Sequence, residues 1–304
     1  MQTIPDDWIA ALRSVEMELP DVAAAERFYV NTWHLQVSAR AGSSVYLRGT
    51  GDDHHLVALH VHPMARMRSV TLRARSRVAL DAIAECAVTA GGKVLFAPAS
   101  LAEPGGGEAV TVIDPQGRVL RFVVGDHRPA DTGAQRDGPQ RLAHVVMNSH
   151  AVAAVQAFYE ALGMLLSDRT RAMAFIRIAQ PGPGDHHSIA LADADNDCLN
   201  HVAFVMSDLD AVMRGGGRMR DAGYAIEWGP GRHGPGDNAF NYFIGPGGFV
   251  IEYTAEVEQV DATYITRTAE QWAWPPGRLD HWGISAPPSP RLKEAQRCIH
   301  FVSH

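Results

Sequence analysis

The sequence predicts a duplicated fold: two copies of one module of strands and helices, each of about 120 residues. Three matches predict it. DDHHLVALHV (52–61) reappears as GDHHSIALAD (184–193), setting His55 against His187 at an offset of 132. RSVTLRARSRVALDAI (68–83) reappears as NHVAFVMSDLDAVM (200–213), setting Ser69 against His201, again at 132. TVIDPQGRVLRFVV (111–124) reappears as YFIGPGGFVIEYTA (242–255), setting Arg121 against Glu252 at 131. Two further matches extend the period. AAERFYVNTWHL (24–35) corresponds to AVQAFYEALGML (154–165) at 130, and RSVEMELP to RLAHVVMN, which sets Glu16 against His144 at 128. The polar, Gly- and Pro-containing GDHRPADTGAQRDGPQ joins the copies, so domains are expected at 1–125 and 141–260, with a linker at 126–140 and a tail at 261–304.

The second copy shows the order of elements. RLAHVVMN reads as a strand leading into a helix, AVAAVQAFYEALG, whose apolar residues recur every three or four positions and which stops at Gly163. Strands follow at RAMAFIRIA, HSIALAD and LNHVAFVMS. Asp208 is placed to cap a second helix, DLDAVMRGGGRMRDAGY, which the glycines at 215–217 are expected to bend or shorten. The copy closes with a hairpin, NYFIGPGGFVIEYTAE, turning on Gly245-Pro246-Gly247-Gly248. Strands and helices alternate without the Gly-rich fingerprint of a nucleotide-binding βαβ unit, and no GxxxxGK[ST] occurs.

Composition narrows the function. With 46% hydrophobic and 20% charged residues, the 304-residue chain reads as globular. A net charge of −7 and the lack of a basic run argue against nucleic acid. The N-terminus has no signal-peptide pattern and no apolar run approaches the ~20 residues that span a bilayer, so no membrane partner and a cytoplasmic location are expected. Cys86, Cys198 and Cys298 are too scattered for a disulfide framework or zinc ribbon.

Chemistry gathers in the second copy. Glu252 sits inside FVIEYT, where Val250, Ile251 and Tyr253 mark a buried strand. An unpaired buried carboxylate costs several kcal/mol, so a compensating partner is expected. In the first strand, the strand before the second helix and the last strand, this copy has His144, His201 and Glu252, where the first copy has Glu16, Ser69 and Arg121. Two imidazoles and a carboxylate suit a divalent metal; the other set does not.

With RLAHVV, LNHVAF and GPGGFVIEYT in place, the chain resembles the vicinal oxygen chelate superfamily, and as a two-module protein the type I extradiol catechol dioxygenases within it. The resemblance runs from the first module to the terminal DHWGISAPPS. It implies an α+β fold of duplicated vicinal-oxygen-chelate domains, built of paired βαβββ modules, each a curved mixed sheet forming a funnel. It implies a ring-cleaving enzyme of bacterial aromatic degradation. Both atoms of O2 would enter a catechol next to the diol, giving a muconic semialdehyde-type product. His144, His201 and Glu252 would then ligate Fe(II), with Mn(II) as the alternative, while the N-terminal domain holds no metal. His187, His233 and Tyr242 match the family's catalytic residues around the metal. Catechol, O2 and a further copy of the chain are the implied partners.

The residues bear on each assignment. His187 is preferred over His186 because HSIAL aligns with His55-Leu-Val-Ala-Leu; His186 reads as a solvated strand entry with its side chain on the other side. His187 would act as a general acid on the oxygen side. Tyr242 and Glu252 lie ten apart around a turn, which a hairpin sets nearly opposite. His233, in a Gly/Pro-rich loop, would take or share the catechol proton. His60 and His62 in HHLVALHVHP read as a relic of the duplication or an exposed edge, and WAWPPGRLDHWGISAPPSP (272–290) as a cover over the catalytic module. Two other classes remain: a glyoxalase-like metal enzyme, and a non-catalytic protein that sequesters a ligand.

Overall fold

A computed structural model describes residues 7–133, 137–272 and 274–304; the middle of the expected linker and one residue of the expected tail lie outside them. The first half is two βαβββ units in series. One comprises β1 (Ile9–Leu19), α1 (Val22–Asn31), β2 (Gln36–Ala41), β3 (Ser44–Arg48) and β4 (Val57–Val61). The next comprises β5 (Arg66–Ala74), α2 (Arg77–Thr89), β6 (Lys93–Ser100), β7 (Glu108–Ile113) and β8 (Val119–Val124).

The second half repeats the plan. β9 (Arg141–Ser149), α3 (Val152–Ala161), β10 (Met164–Arg169), β11 (Met173–Ile178), β12 (Gly184–Asp185) and β13 (Ile189–Asp193) form its first unit. The last comprises β14 (Leu199–Val205), α4 (Leu209–Asp221), β15 (Trp228–Arg232), β16 (Ala239–Ile244) and β17 (Val250–Ala255). β18 (Gln259–Val260) pairs with β12, and α5 (Pro290–Ala295) lies near the C-terminus.

Each half makes one eight-stranded sheet, ordered β2-β3-β4-β1-β5-β8-β7-β6 and β10-β11-β13-β9-β14-β17-β16-β15. The opening strands of the two units meet antiparallel at the centre, β1 on β5 and β9 on β14, while β4 and β8, or β13 and β17, flank them in parallel. This is the expected α+β architecture of paired βαβββ units. The helix-facing sides of both sheets share one hydrophobic cluster. Trp33, fully buried, stacks on Tyr253 of the other half at 3.6 Å between ring centroids and meets Phe204 and Phe243 edge-on. Burying large aromatics across the join ties the halves together.

Two expectations need correction. α4 runs unbroken through its three glycines. A Cβ on Gly215 would stand 2.8 Å from the Tyr253 ring, and one on Gly216 would stand 2.9 Å from Asn241 Nδ2. The missing side chains let the helix lie close on the sheet, and that packing outweighs their poor helix propensity. The second correction concerns register. Val15 donates its N–H to Leu56 O as Val145 does to Ser188 O, and Val15 faces Val70 as Val145 faces Val202. The counterpart of His144 is therefore Ser14, and Glu16 corresponds to Val146. His201 against Ser69 and Glu252 against Arg121 keep their expected pairing, since Val70 faces Leu120 as Val202 faces Ile251.

Glu16 has its own partners in the first funnel. Arg121 Nη1 reaches Glu16 Oε1 at 2.6 Å and Glu103 Oε2 at 2.8 Å, and His60 Nε2 lies 3.2 Å from Glu16 Oε2. His60 is thus a half-buried partner of a carboxylate rather than a relic of the duplication or an exposed edge. Burial alone would raise the Glu16 pKa; the His60 hydrogen bond and the Arg121 and Arg68 charges outweigh it and bring it down to about 2. A depressed carboxylate adds stability that is present above its ordinary 4.5 and is lost as pH falls toward about 2. Arg121→Leu should cost about 3 kcal/mol, the lower end for opening a buried pair, and should flatten this acid limb. Urea unfolding from pH 7 to pH 3 measures both; wild-type stability in the variant would contradict the assignment.

Candidate metal centre

β9, β14 and β17 stand side by side in the middle of the second sheet, and each contributes one potential metal ligand to the inner face. Along β17 every residue is buried, and Glu252 is completely so. Alternation sends Ile251 and Tyr253 toward the helices, where they join the main core, and Glu252 into the funnel. Ala203 faces His144 on one side and Glu252 on the other, and its small side chain leaves room between them.

His144 Nε2 and His201 Nε2 each lie 3.2 Å from Glu252 Oε2, and 3.3 Å from each other. Among the described residues this is the group of His, Cys, Asp or Glu side chains arranged to hold a metal ion. The triangle has a metal's dimensions. Ligands about 2.0–2.2 Å from an ion and at right angles to one another stand about 3 Å apart.

Hydrogen bonding supplies a second, independent argument. His201 Nδ1 lies 2.8 Å from Asn200 Oδ1. That oxygen also accepts from Gln296 Nε2, and the Asn200 amide group donates to Asn148 Oδ1, so the Asn200 oxygen is an acceptor and His201 Nδ1 carries a proton. Neutral His201 then aims the lone pair of Nε2 at a carboxylate oxygen. Burial pushes the His201 pKa down despite the pull of Glu252, which disfavours escape by protonation. A cation between the groups removes the repulsion. Burial opposes ionisation of Glu252, and it takes proton donors or a cation beside the carboxylate to hold it below the usual range.

The sequence-derived residues around this triad come together with it. Tyr242 faces Glu252 across the β16–β17 ladder, as the ten-residue spacing required. Its hydroxyl lies 3.0 Å from His233 Nε2 and 3.4 Å from His201 Nε2, and burial with Glu252 nearby pushes its pKa well up. His233 stacks on Phe240 at 4.0 Å, and burial brings its pKa down to about 4. The His187 ring lies 4.3 Å from that of His144, and burial with neighbouring imidazoles pushes its pKa well down. The loop glycines are packing requirements. Gly236 has φ +84°, and a Cβ there would stand 3.0 Å from the His187 ring, while a Cβ on Gly234 would overlap Trp274.

His186 is the exception. It is fully buried, with Nε2 3.0 Å from Asp168 Oδ2, so it is not a solvated strand entry. Strand β13 begins only at Ile189, and strict alternation does not govern the preceding residues. Sequence reading also missed Asn200 and Asn238, whose amide reaches Glu252 Oε1 at 3.4 Å. The NH pair in LNHVAF was the available signal for Asn200; the sequence offers none for Asn238.

His144 and His201 open into a cavity of about 510 Å³, walled by Phe175, Met173, Trp228, Trp272, Trp274 and Leu279 among others, with Arg171 also in its lining. The tail contributes the last three, and Leu292 of α5 packs with Phe240, Tyr242 and Val250 behind the site. Among the described residues, none lining the cavity is Asp or Glu. Such a site binds planar apolar molecules with a few polar groups at one end.

Glu252→Gln, His144→Ala and His201→Ala should each lose the divalent metal while the protein stays folded, because an open three-ligand site has no donor to spare. Metal content by elemental analysis, beside circular dichroism, tests this; full occupancy in all three variants would contradict it.

Residues 141–253 match the profile of the Glyoxalase/Bleomycin resistance protein/Dioxygenase superfamily. A Mn(II)-bound glyoxalase from Novosphingobium aromaticivorans is 34% identical, with a TM-score of 0.86 over 94% of either chain. Homoprotocatechuate 2,3-dioxygenase from Brevibacterium fuscum, in complex with 3,4-dihydroxyphenylacetate, shares the fold at 21% identity and a TM-score of 0.84, covering 99% of this chain and 96% of that one. Metapyrocatechase 2 of Cupriavidus necator is 35% identical over 160 residues, 50% of this chain and 47% of the relative, so the match spans about half the length of that protein. The duplicated sheets, the metal triad and the 34% identity over nearly the full length agree: the chain belongs to the Glyoxalase/Bleomycin resistance protein/Dioxygenase superfamily.

Proposed function

We propose that the protein is an extradiol dioxygenase that cleaves a catechol-type ring beside the diol. The observation that carries the reading is the convergence of His187, His233 and Tyr242 on the His144–His201–Glu252 triad, at the floor of a cavity walled by aromatic residues. The similarity to metapyrocatechase 2 supports it. Fe(II) or Mn(II) on the triad would bring a catecholate and O2 together and pass electrons from ring to oxygen. Catechol plus O2 equals the ring-opened hydroxymuconic semialdehyde in atoms and electrons, so no outside reductant is required.

The chain's residues supply binding and proton handling. One carboxylate and two neutral imidazoles under a divalent ion leave a formal charge of +1, which favours a catechol bound as its monoanion. His233 is neutral near pH 7, and its Nε2 is an acceptor for the proton a catechol gives up. Tyr242 stays protonated there and holds a substrate oxygen by hydrogen bonding. His187, against His144 and Phe175, is proposed to serve the oxygen side. The aromatic walls exclude water and stack on the ring.

The similarity to a protein described as a glyoxalase supports a second reading. The aromatic walls suit a planar ring better than an extended glutathione chain, while Arg171 at the cavity would pair with an anionic group of either substrate.

With Fe(II), a catechol panel should give O2 uptake and a yellow ring-fission product, both abolished by chelator, and Tyr242→Phe should lose about 10²-fold in kcat. Lactoylglutathione formation without O2 uptake would favour the second reading and sink the first.

A further inference from the structure

Behind His187 lies a hydrogen-bonded chain that ends on a carboxylate. Asp168, at zero exposure, receives the backbone N–H of Arg267 on Oδ1 at 2.9 Å. Its Oδ2 receives the Tyr264 hydroxyl and faces His186 Nε2, both at 3.0 Å. His186 Nδ1 then lies 3.1 Å from His187 Nδ1, with the rings nearly perpendicular at 84°. An ionised carboxylate only accepts, so His186 carries its proton on Nε2 and offers a lone pair from Nδ1. The partner of that lone pair is an N–H, so His187 is protonated on Nδ1 and its Nε2 is bare.

The first half provides an internal comparison. His54 and His55 repeat the contact, Nδ1 to Nδ1 at 3.0 Å. Ladder register places Ala39, opposite Tyr46, where Asp168 stands opposite Phe175. Among the described residues His54 Nε2 meets the Ser38 hydroxyl, at 3.3 Å, and Arg13 Nη1 covers His55 Nε2 at 3.1 Å. The half without the metal triad therefore lacks the carboxylate, and its outer nitrogen is already occupied.

We propose that Asp168 and His186 are positioning residues that fix the tautomer of His187, so that its free Nε2 is a hydrogen-bond acceptor toward the cavity. The functional consequence rests on the dioxygenase reading; the tautomer does not. A second partner would also restrain the His187 ring, which is otherwise held by packing against His144, Phe175 and the Gly236 loop.

Two-bond ¹H–¹⁵N correlation spectra of the full chain loaded with diamagnetic Zn(II) test this directly. His187 should appear protonated on Nδ1 alone and His186 on Nε2 alone. In Asp168→Asn the Arg267 N–H holds the amide oxygen at the Oδ1 position, which turns the NH₂ group toward His186 and inverts the tautomers of both histidines. His186→Phe keeps the bulk, deletes both contacts and should leave His187 a mixture of tautomers. With Fe(II), both variants should lose about 10–100-fold in kcat with KM within about threefold. Wild-type His187 protonated on Nε2, or unchanged tautomers in Asp168→Asn, would overturn the proposal. Absence of ring cleavage by the wild type would count against the dioxygenase reading, and the spectra would still decide this one.

Discussion

A carboxylate buried at the centre of a β-sheet governs this half of the molecule. Glu252 cannot be solvated, and its neighbours do not neutralise it unaided: His201 is committed by Asn200 to present a lone pair, and burial resists making it an imidazolium. The strands nevertheless hold three donor atoms within 3.3 Å of one another. Left without a cation, that arrangement would spend stability on repulsion. With one, the same residues become a site with open coordination positions. Fold and chemistry are thus linked through one charge balance.

The duplication shows two solutions to the same problem on one scaffold. In the first half a guanidinium, Arg121, occupies the ladder position of Glu252 and pairs with Glu16 and Glu103. That half carries its cation covalently, on the residue that stands where the second half has its carboxylate. The second half has the carboxylate itself on the equivalent strand, with histidines on the two central strands. Among the described residues the asymmetry sets the three-ligand group in the second funnel, and the halves are joined through Trp33 and Tyr253.

Much of this was legible in the chain. The 130–132 offsets fixed the repeat because both copies obey the same alternation, and the hairpin spacing foretold Tyr242 opposite Glu252. Other features were hidden for physical reasons. The counterpart of His144 was misplaced by two residues, because a shift of two preserves which face a side chain takes and register shifts interrupt both β1–β5 and β9–β14. His186 was misread because the chain is irregular before β13, where period-two alternation says nothing. Asp168, 18 residues from His186, belongs to a different strand, and only the fold brings it there. The α4 glycines signalled weakness in sequence and close packing in three dimensions.

The claim that matters most is that one divalent cation completes the second half alone. Anomalous diffraction from crystals soaked in Mn(II) tests it most directly. The account predicts one strong peak per chain, bounded by His144, His201 and Glu252, and nothing between Ser14, Ser69 and Arg121. No peak at the triad, or an equal peak in the first funnel, would contradict it.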